Sequence, residues 1–423
     1  MLIEMSVANF RSFKGSQTFS LVKGKGDELE ATNAFKVEAA NDYELLRSAA
    51  IYGPNASGKS NFLLALKTMK HIVVESAAAH QRGDLLPVSP FRLSPETRIE
   101  PSEFEVTFLV DSVRYQYGFT ATAEQVFEEW LLAYPKGRAQ RWFSRQWNRE
   151  NHRFDWELGN NLLGEKQLWQ KSTRDNALFL STAVQLNSEQ LQPVFDWFKN
   201  TIRLSNVGGW LPTFSASLCE RGEKSKVMEF LHAADLHIDD VLVETKPFDP
   251  KDLPAEMPDA LRSVVIGEMR NKKTLEIKTV HKGIDGNPVI FDFEDESDGT
   301  KKLFAFAGPW IDALENGYVL FIDELHDNLH PRLVRFLVEL FHNSDTNPKN
   351  AQLIFTTHET SILNQDVFRR DQIWFCEKDK RQATDLYPLT DFSPRKGREN
   401  LEMAYLSGRY GALPFVKNMR WAS

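Results

Sequence analysis

The chain opens on an alternating stretch, Leu2 to Phe10, which predicts a strand. A second apolar run, Leu45 to Tyr52, leads straight into a Gly-rich segment. From Ser60 to about His80 the spacing changes, and Phe62, Leu66, Met69 and Val73 fall on one helical face. Strand, Gly-rich loop and helix in that order predict the first unit of a parallel α/β sheet. Residues 102–155 read with a period of two. Ser102 to Asp111 and Val113 to Thr122 form one antiparallel pair, and Glu128 to Tyr134 and Ala139 to Trp147 another, turning at Pro135-Lys136-Gly137-Arg138.

From 156 to 270 the text is mostly helical with polar breaks, Asp175 to Asn187 and Ser188 to Asn200 being the better helices. Beyond it, Lys273 to His281 and Asn287 to Phe293 read as strands, and a helix begins near Gly299. Tyr318 to Ile322 is an almost unbroken apolar run, as expected of a strand buried on both faces. Pro331 opens a further helix, where its missing N–H costs little, and Ala351 to Thr356 is another buried strand. Buried strands alternate with helices at both chain ends, so both ends are expected to share one sheet. The expected organisation is an N-terminal lobe with an antiparallel β subdomain (1–155), a mainly helical insertion (156–270) and a C-terminal lobe (271–423).

Composition narrows the class. With 423 residues, 42% apolar and 26% charged, the chain can bury a real core. A net charge of −8 excludes a broadly basic coat for non-specific nucleic-acid binding, though not a local patch. Two distant cysteines, Cys219 and Cys376, exclude a disulfide scaffold or a Cys-rich zinc module and fit a cytoplasmic protein. No stretch approaches the roughly 18 apolar residues of a membrane helix, so no membrane partner is expected.

Gly53-Pro54-Asn55-Ala56-Ser57-Gly58-Lys59-Ser60 matches the phosphate-loop pattern in full, between a predicted strand and a predicted helix. The glycines let successive N–H groups point at phosphate oxygens, and the helix N-terminus adds its positive dipole end. Lys59 would reach the β- and γ-phosphates of ATP, and the Ser60 hydroxyl would ligate Mg²⁺. Asn61 follows directly in the helix and completes the expected contacts. Asp323 and Glu324 end the buried strand at Ile322. Asp323 suits the Mg²⁺ shell and Glu324 suits a general base for water; the pair could also complement a helix dipole.

These residues resemble the bacterial AAA-family, ABC-type ATPases of the SMC and RecF kind. Ser297-Asp298-Gly299-Thr300 resembles the family's signature segment, and His358 after the next strand resembles its switch histidine. The opening Asn9-Phe10-Arg11-Ser12-Phe13 resembles the usual start of such chains, which brings Arg11 to the nucleotide. Read alone, Ser297 to Thr300 is also a plausible helix cap, and His358 a polar strand end. More narrowly the chain is similar to the abortive-infection group that contains the AbiLi and RloA phage-defence ATPases, through Pro90 to Leu93, Glu128 to Leu131, Asp323 to Pro331 and Ser407 to Pro414. Arg409-Tyr410-Gly411 within the last of these could equally be packing. The resemblance implies a P-loop ABC-type head with a mostly parallel central sheet. It also implies a head-to-tail homodimer, or a higher oligomer, with ATP between Lys59 and Glu324 of one subunit and Ser297 and Gly299 of the other. Asp298 inside the signature and His326 after the acidic pair depart from the family pattern.

Lys136, Arg138, Arg141, Arg145, Arg149 and Arg153 interleave with Trp142, Phe143 and Trp147, a pattern open to DNA or RNA contact or to a solvated hairpin face. The leading expectation is an ATP-hydrolysing switch or sensor of a bacterial defence system, controlling a separate effector such as a nuclease or toxin. The alternatives are a DNA-maintenance ATPase of the RecF or SMC type and a transporter motor subunit. The wide interval from Lys59 to Asp323 disfavours the transporter.

Overall fold

The computed structural model describes residues 1–37, 43–205, 209–250, 253, 257–269 and 273–414. The chain divides into two compact units, Met1–Val207 with Ala313–Ser423, and Gly208–Asp312.

The first unit holds two large sheets. Six strands lie in the order Ile202–Leu204, Val319–Ile322, Gln352–Thr356, Ser48–Tyr52, Ile373–Lys378 and Thr384–Pro388. Neighbours are parallel except for the last pair. Three of the four inner strands, Val319–Ile322, Gln352–Thr356 and Ser48–Tyr52, are buried at every position, as a sheet covered on both faces requires. The two chain ends therefore do share one sheet. Seven antiparallel strands make the other sheet, in the order Arg153–Leu158, Gln140–Asn148, Val126–Tyr134, Val113–Ala121, Ser102–Val110, Leu2–Ala8 and Gln17–Ser20. The strand at Leu2 thus belongs to the antiparallel sheet.

The helix Lys59–Glu75 joins the two sheets into one core, burying Phe62, Leu66, Met69, Ile72 and Val73. Phe19 of the antiparallel sheet touches both Phe62 of the helix (5.3 Å between centroids) and Trp374 of the parallel sheet (5.0 Å). Trp197 stacks on Phe108 at 4.0 Å, which makes the Trp197-Phe198 pair part of this core.

The second unit contains a three-stranded antiparallel sheet, Asp240–Pro247, Lys273–Lys282 and Pro288–Asp292, together with the helices Thr213–Leu218, Lys224–Ala233 and Asp259–Met269. Its limits differ from the expected 156–270. Arg153–Leu158 extends the antiparallel sheet past 155, and Ile202–Leu204 is an edge strand of the parallel one, so the chain leaves the first unit only after 207. The expected boundary at 270/271 lies outside the described residues. Among the described residues no helix is long and apolar enough to cross a membrane.

Candidate functional site

Parallel pairing decides what meets at the carboxyl edge of the six-stranded sheet. Ile322 lies beside Phe355, and Thr356 beside Ile51. Asp323, His358 and Gly53 therefore all emerge at that edge, where ligands of open α/β sheets collect.

Gly53 to Gly58 turns from the strand Ser48–Tyr52 into the helix Lys59–Glu75. Two of its glycines are required by close approach. A Cβ at Gly53 would sit 2.1 Å from the Cys376 carbonyl oxygen, and one at Gly58 (φ 117°) would sit 2.3 Å from Thr384 Oγ1. Thr384 braces the loop from behind, its hydroxyl donating to the Ser57 carbonyl at 2.7 Å and lying 2.8 Å from Ser12 Oγ. Asn61 Nδ2 donates to the same Ser12 Oγ at 2.8 Å. Asn55, Ala56 and Ser60 are exposed, whereas Ser57, Gly58 and Lys59 are buried.

The Lys59 ammonium donates to the carbonyls of Gly53 (2.8 Å) and Pro54 (3.1 Å) and to His358 Nε2 (3.2 Å). Burial lowers its pKa from the ordinary lysine value, against the opposing pull of Cys376, Glu324 and Asp323. His358 is pushed down to about 4, by burial first and then by the positive charge of Lys59 and His326. It is therefore neutral at neutral pH, and its Nε2 lone pair can accept from Lys59. His326 Nδ1 accepts from the His358 backbone N–H at 3.4 Å, so the residue that departs from the family pattern touches the switch-like histidine.

Thr356 Oγ1 donates to Asp323 Oδ1 at 2.6 Å and accepts from the Glu324 N–H at 2.8 Å. Glu324 has a left-handed backbone (φ 53°) and an exposed side chain, while Asp323 is half-buried. A cavity of about 760 Å³ runs along Gly53 to Ser57, with His358 on one wall and Tyr405, Leu413 and Pro414 on another.

The structure thus gathers Lys59, Asp323, Glu324 and His358 around the phosphate loop. Arg11 neighbours Ser12 but is exposed, its described contacts being the Ser89 carbonyl and the Phe10 ring. Ser297 and Gly299 belong to the second unit, where Ser297 Oγ accepts from the Thr300 N–H at 3.1 Å near the start of the helix Asp298–Asn316. No role for Thr356, Thr384, Ser12 or Cys376 follows from the motifs, because those roles arise from segments brought together only by folding. Arg409-Tyr410-Gly411 does pack. Tyr410 is buried, its hydroxyl donates to Glu399 at 2.6 Å, and a Cβ at Gly411 (φ 68°) would sit 2.8 Å from a Glu377 oxygen.

These residues fit a nucleoside triphosphate with its cation. Ser57 Oγ is buried with no hydrogen-bond partner, beside a loop too tight for a Cβ at Gly53 or Gly58. The oxygen donors Ser60 and Asp323 suit a hard divalent cation.

A phosphate cradle between strand and helix, with an acidic pair two strands away on the same edge, defines an ATPase of the phosphate-loop class. The chain belongs to the family whose model is described as "AAA domain, putative AbiEii toxin, Type IV TA system", which matches residues 48–364. No curated protein matches it. Among solved structures it is similar to the SMC head domain from Thermotoga maritima (13% identity, 92% of this chain and 98% of that chain covered, TM-score 0.38). It is also similar to an SMC head bound to the C-winged helix domain of ScpA (12%, 91% and 96%, TM-score 0.38) and to an SMC head with an extended coiled coil bound to the C-terminal domain of ScpA, derived from Pyrococcus furiosus (13%, 91% and 95%, TM-score 0.42). At these scores the likenesses carry no argument about activity or partners.

Proposed function

We propose that the chain is an ATP-binding and ATP-hydrolysing switch or sensor subunit of a bacterial anti-phage defence system, controlling a separate effector. The observation that carries the ATPase part is the meeting of Lys59, Asp323, Glu324 and His358 at one sheet edge. The residues proposed to hold ATP are the loop from Gly53 to Asn61, with Arg11 beside it; Ser60 and Asp323 hold Mg²⁺. The bound cation supplies charge neutralisation for the phosphate oxygens. Lys59 carries positive charge to the γ-phosphate end, Glu324 accepts the proton of the attacking water, and neutral His358 accepts from Lys59 and keeps its amine oriented. In a homodimer, Ser297 and Gly299 of the second subunit would close on the nucleotide.

The defence part draws on the family description, which reads "putative AbiEii toxin, Type IV TA system". The DNA-maintenance alternative leaned on the arginines of 136–153, and carboxylates engage several of them. Arg141 pairs with Glu157 (2.6 Å), Arg145 with Glu129 (2.9 Å) and Arg149 with Glu100 (3.5 Å). That pairing weighs toward the first reading. The test is ATP turnover by the purified chain, with its assembly mass measured with and without ATP. Failure to bind or hydrolyse ATP ends the proposal. Growth arrest on expression of the chain alone would replace the separate effector with the chain itself.

A further inference from the structure

The two carboxylates assigned above lie next to each other in sequence, yet they have different tasks and must be held differently. One hydroxyl holds both. A threonine hydroxyl has a single proton to give and lone pairs to accept with. In Thr356 the proton goes to Asp323 Oδ1 at 2.6 Å, while a lone pair receives the Glu324 N–H at 2.8 Å. Thr356 is fully buried, and the Leu325 N–H donates to its carbonyl at 3.1 Å. On its other side it pairs in register with Ile51, two residues before the phosphate loop. The same side chain therefore sets the rotation of the Asp323 carboxylate, leaving Oδ2 for a cation. It also anchors the left-handed turn at Glu324 (φ 53°), a conformation a residue with a Cβ adopts at some cost.

We propose that Thr356 is a positioning residue of the ATPase site, fixing the cation-facing oxygen of Asp323 and the backbone turn that presents Glu324, both measured from the phosphate-loop strand. The inference rests on the proposed roles of Asp323 and Glu324. Its logic is that of groups behind a metal ligand, whose loss typically costs about 10- to 100-fold in metal affinity or activity.

The test compares Thr356→Ser, which keeps the hydroxyl, with Thr356→Val, which keeps the shape and removes it, in the full chain. Two readouts are taken: kcat and KM for ATP, and a Mg²⁺ titration of fluorescent ATP-analogue binding in a Glu324→Gln background, where turnover plays no part. Thr356→Ser is expected to stay within about threefold of the parent in both. Thr356→Val is expected to lose about 10- to 100-fold in kcat with KM little changed, and to need about tenfold more Mg²⁺ for half-saturation. Thr356→Ala carries the same expectation and serves if the valine variant does not fold. Parent-like kcat and Mg²⁺ demand in the valine or alanine variant overturns the proposal. So does a serine variant as impaired as the valine one, since packing of the methyl would then be the role. Absence of Mg²⁺-dependent nucleotide binding in the parent protein instead brings down the ATPase reading itself.

Discussion

Two buried cations, one in each large sheet, show what separates a working charge from a structural one. Arg145 sits in the antiparallel sheet, 2% exposed, against the fully buried Glu129. Its Nε donates to Glu129 Oε2 at 2.9 Å, and the rings of Phe154 (4.7 Å) and Trp156 (5.4 Å) face its guanidinium. Glu129 itself is saturated, accepting also from Tyr117 OH (3.1 Å) and from the N–H groups of Phe179 (2.7 Å) and Leu180 (3.0 Å) at a helix start. Those bonds staple the helix Phe179–Gln185 to the sheet. Lys59, 5% exposed, is as deeply placed, yet two of its acceptors are carbonyls of its own loop and the third is a neutral imidazole. The carboxylates of Asp323 and Glu324 act on it through their charge. One charge is closed by the fold; the other waits beside a cavity. Burial of a charge is thus no sign of function by itself. What matters is whether the fold has already supplied the counter-charge.

The sharpest way to break that comparison is to remove each charge in turn. Lys59→Ala should lower kcat/KM for ATP by a factor on the order of 10² to 10³, read by phosphate release, while the protein stays folded by circular dichroism. Glu324→Gln should retain ATP binding and lose turnover by a similar factor; undiminished hydrolysis would remove Glu324 as the base. Glu129→Gln should do the opposite. It leaves Arg145 buried without its counter-charge, which costs about 3–5 kcal/mol in urea unfolding, while ATP affinity of the folded protein is unchanged. A Glu129→Gln protein as stable as the parent would show that the sheet pair is not the closed system described.

The site was legible in the sequence where its chemistry is contiguous. Gly53 to Ser60 and Asp323-Glu324 each carry their pattern within a few residues, flanked by apolar runs that only buried strands produce. The fold was less legible where the pattern is weak. Ile202–Leu204 is three residues long, and Arg153–Leu158 has no buried position, so neither stands out as a strand. Asp240–Pro247 loses its burial pattern after Val241, as an edge strand facing solvent does. The supporting hydroxyls of Thr384 and Ser12 lie 372 residues apart and that of Thr356 lies 33 residues from Asp323, and only the folded strands bring them together.

A third buried group tests the closed kind of charge by titration. His342 ends the helix Pro331–His342, 6% exposed, with Nε2 2.8 Å from Ser48 Oγ at the opposite end of the phosphate-loop strand. Burial, then the neighbouring Arg47, pushes its pKa down to about 3. The unfolded chain takes up a proton near pH 6.5 that the folded one refuses, so this contribution to stability is complete above 6.5 and is lost as pH falls toward 3. The slope is at most about 1.4 kcal/mol per pH unit. His342→Gln should therefore flatten the fall in urea stability between pH 6.5 and 5 by up to about 2 kcal/mol relative to the parent, and equal slopes would show that His342 titrates normally.

The smallest effect is expected four residues from Arg145. Simple alternation puts Arg141, Phe143 and Arg145 on one face of the strand Gln140–Asn148. The register shows otherwise: Leu131 lies beside Phe143 and Leu132 beside Arg141, so Trp142 is an extra residue that switches faces. Arg145 keeps the face of Trp156, its partner in the next strand, while Arg141 turns to Glu157. Its side chain is 53% exposed and that of Glu157 is 62% exposed, so water already screens both. Arg141→Ala should change stability by no more than about 0.5 kcal/mol, against several for the loss of Glu129 on the other face. A larger loss would mean that the bulge leaves Arg141 inside the same closed network, and that the division between the two faces of this hairpin is wrong. If Arg141→Ala instead left stability alone but weakened salt-dependent binding of single-stranded DNA, the exposed face would be a nucleic-acid surface, and the DNA-maintenance reading would return on that observation.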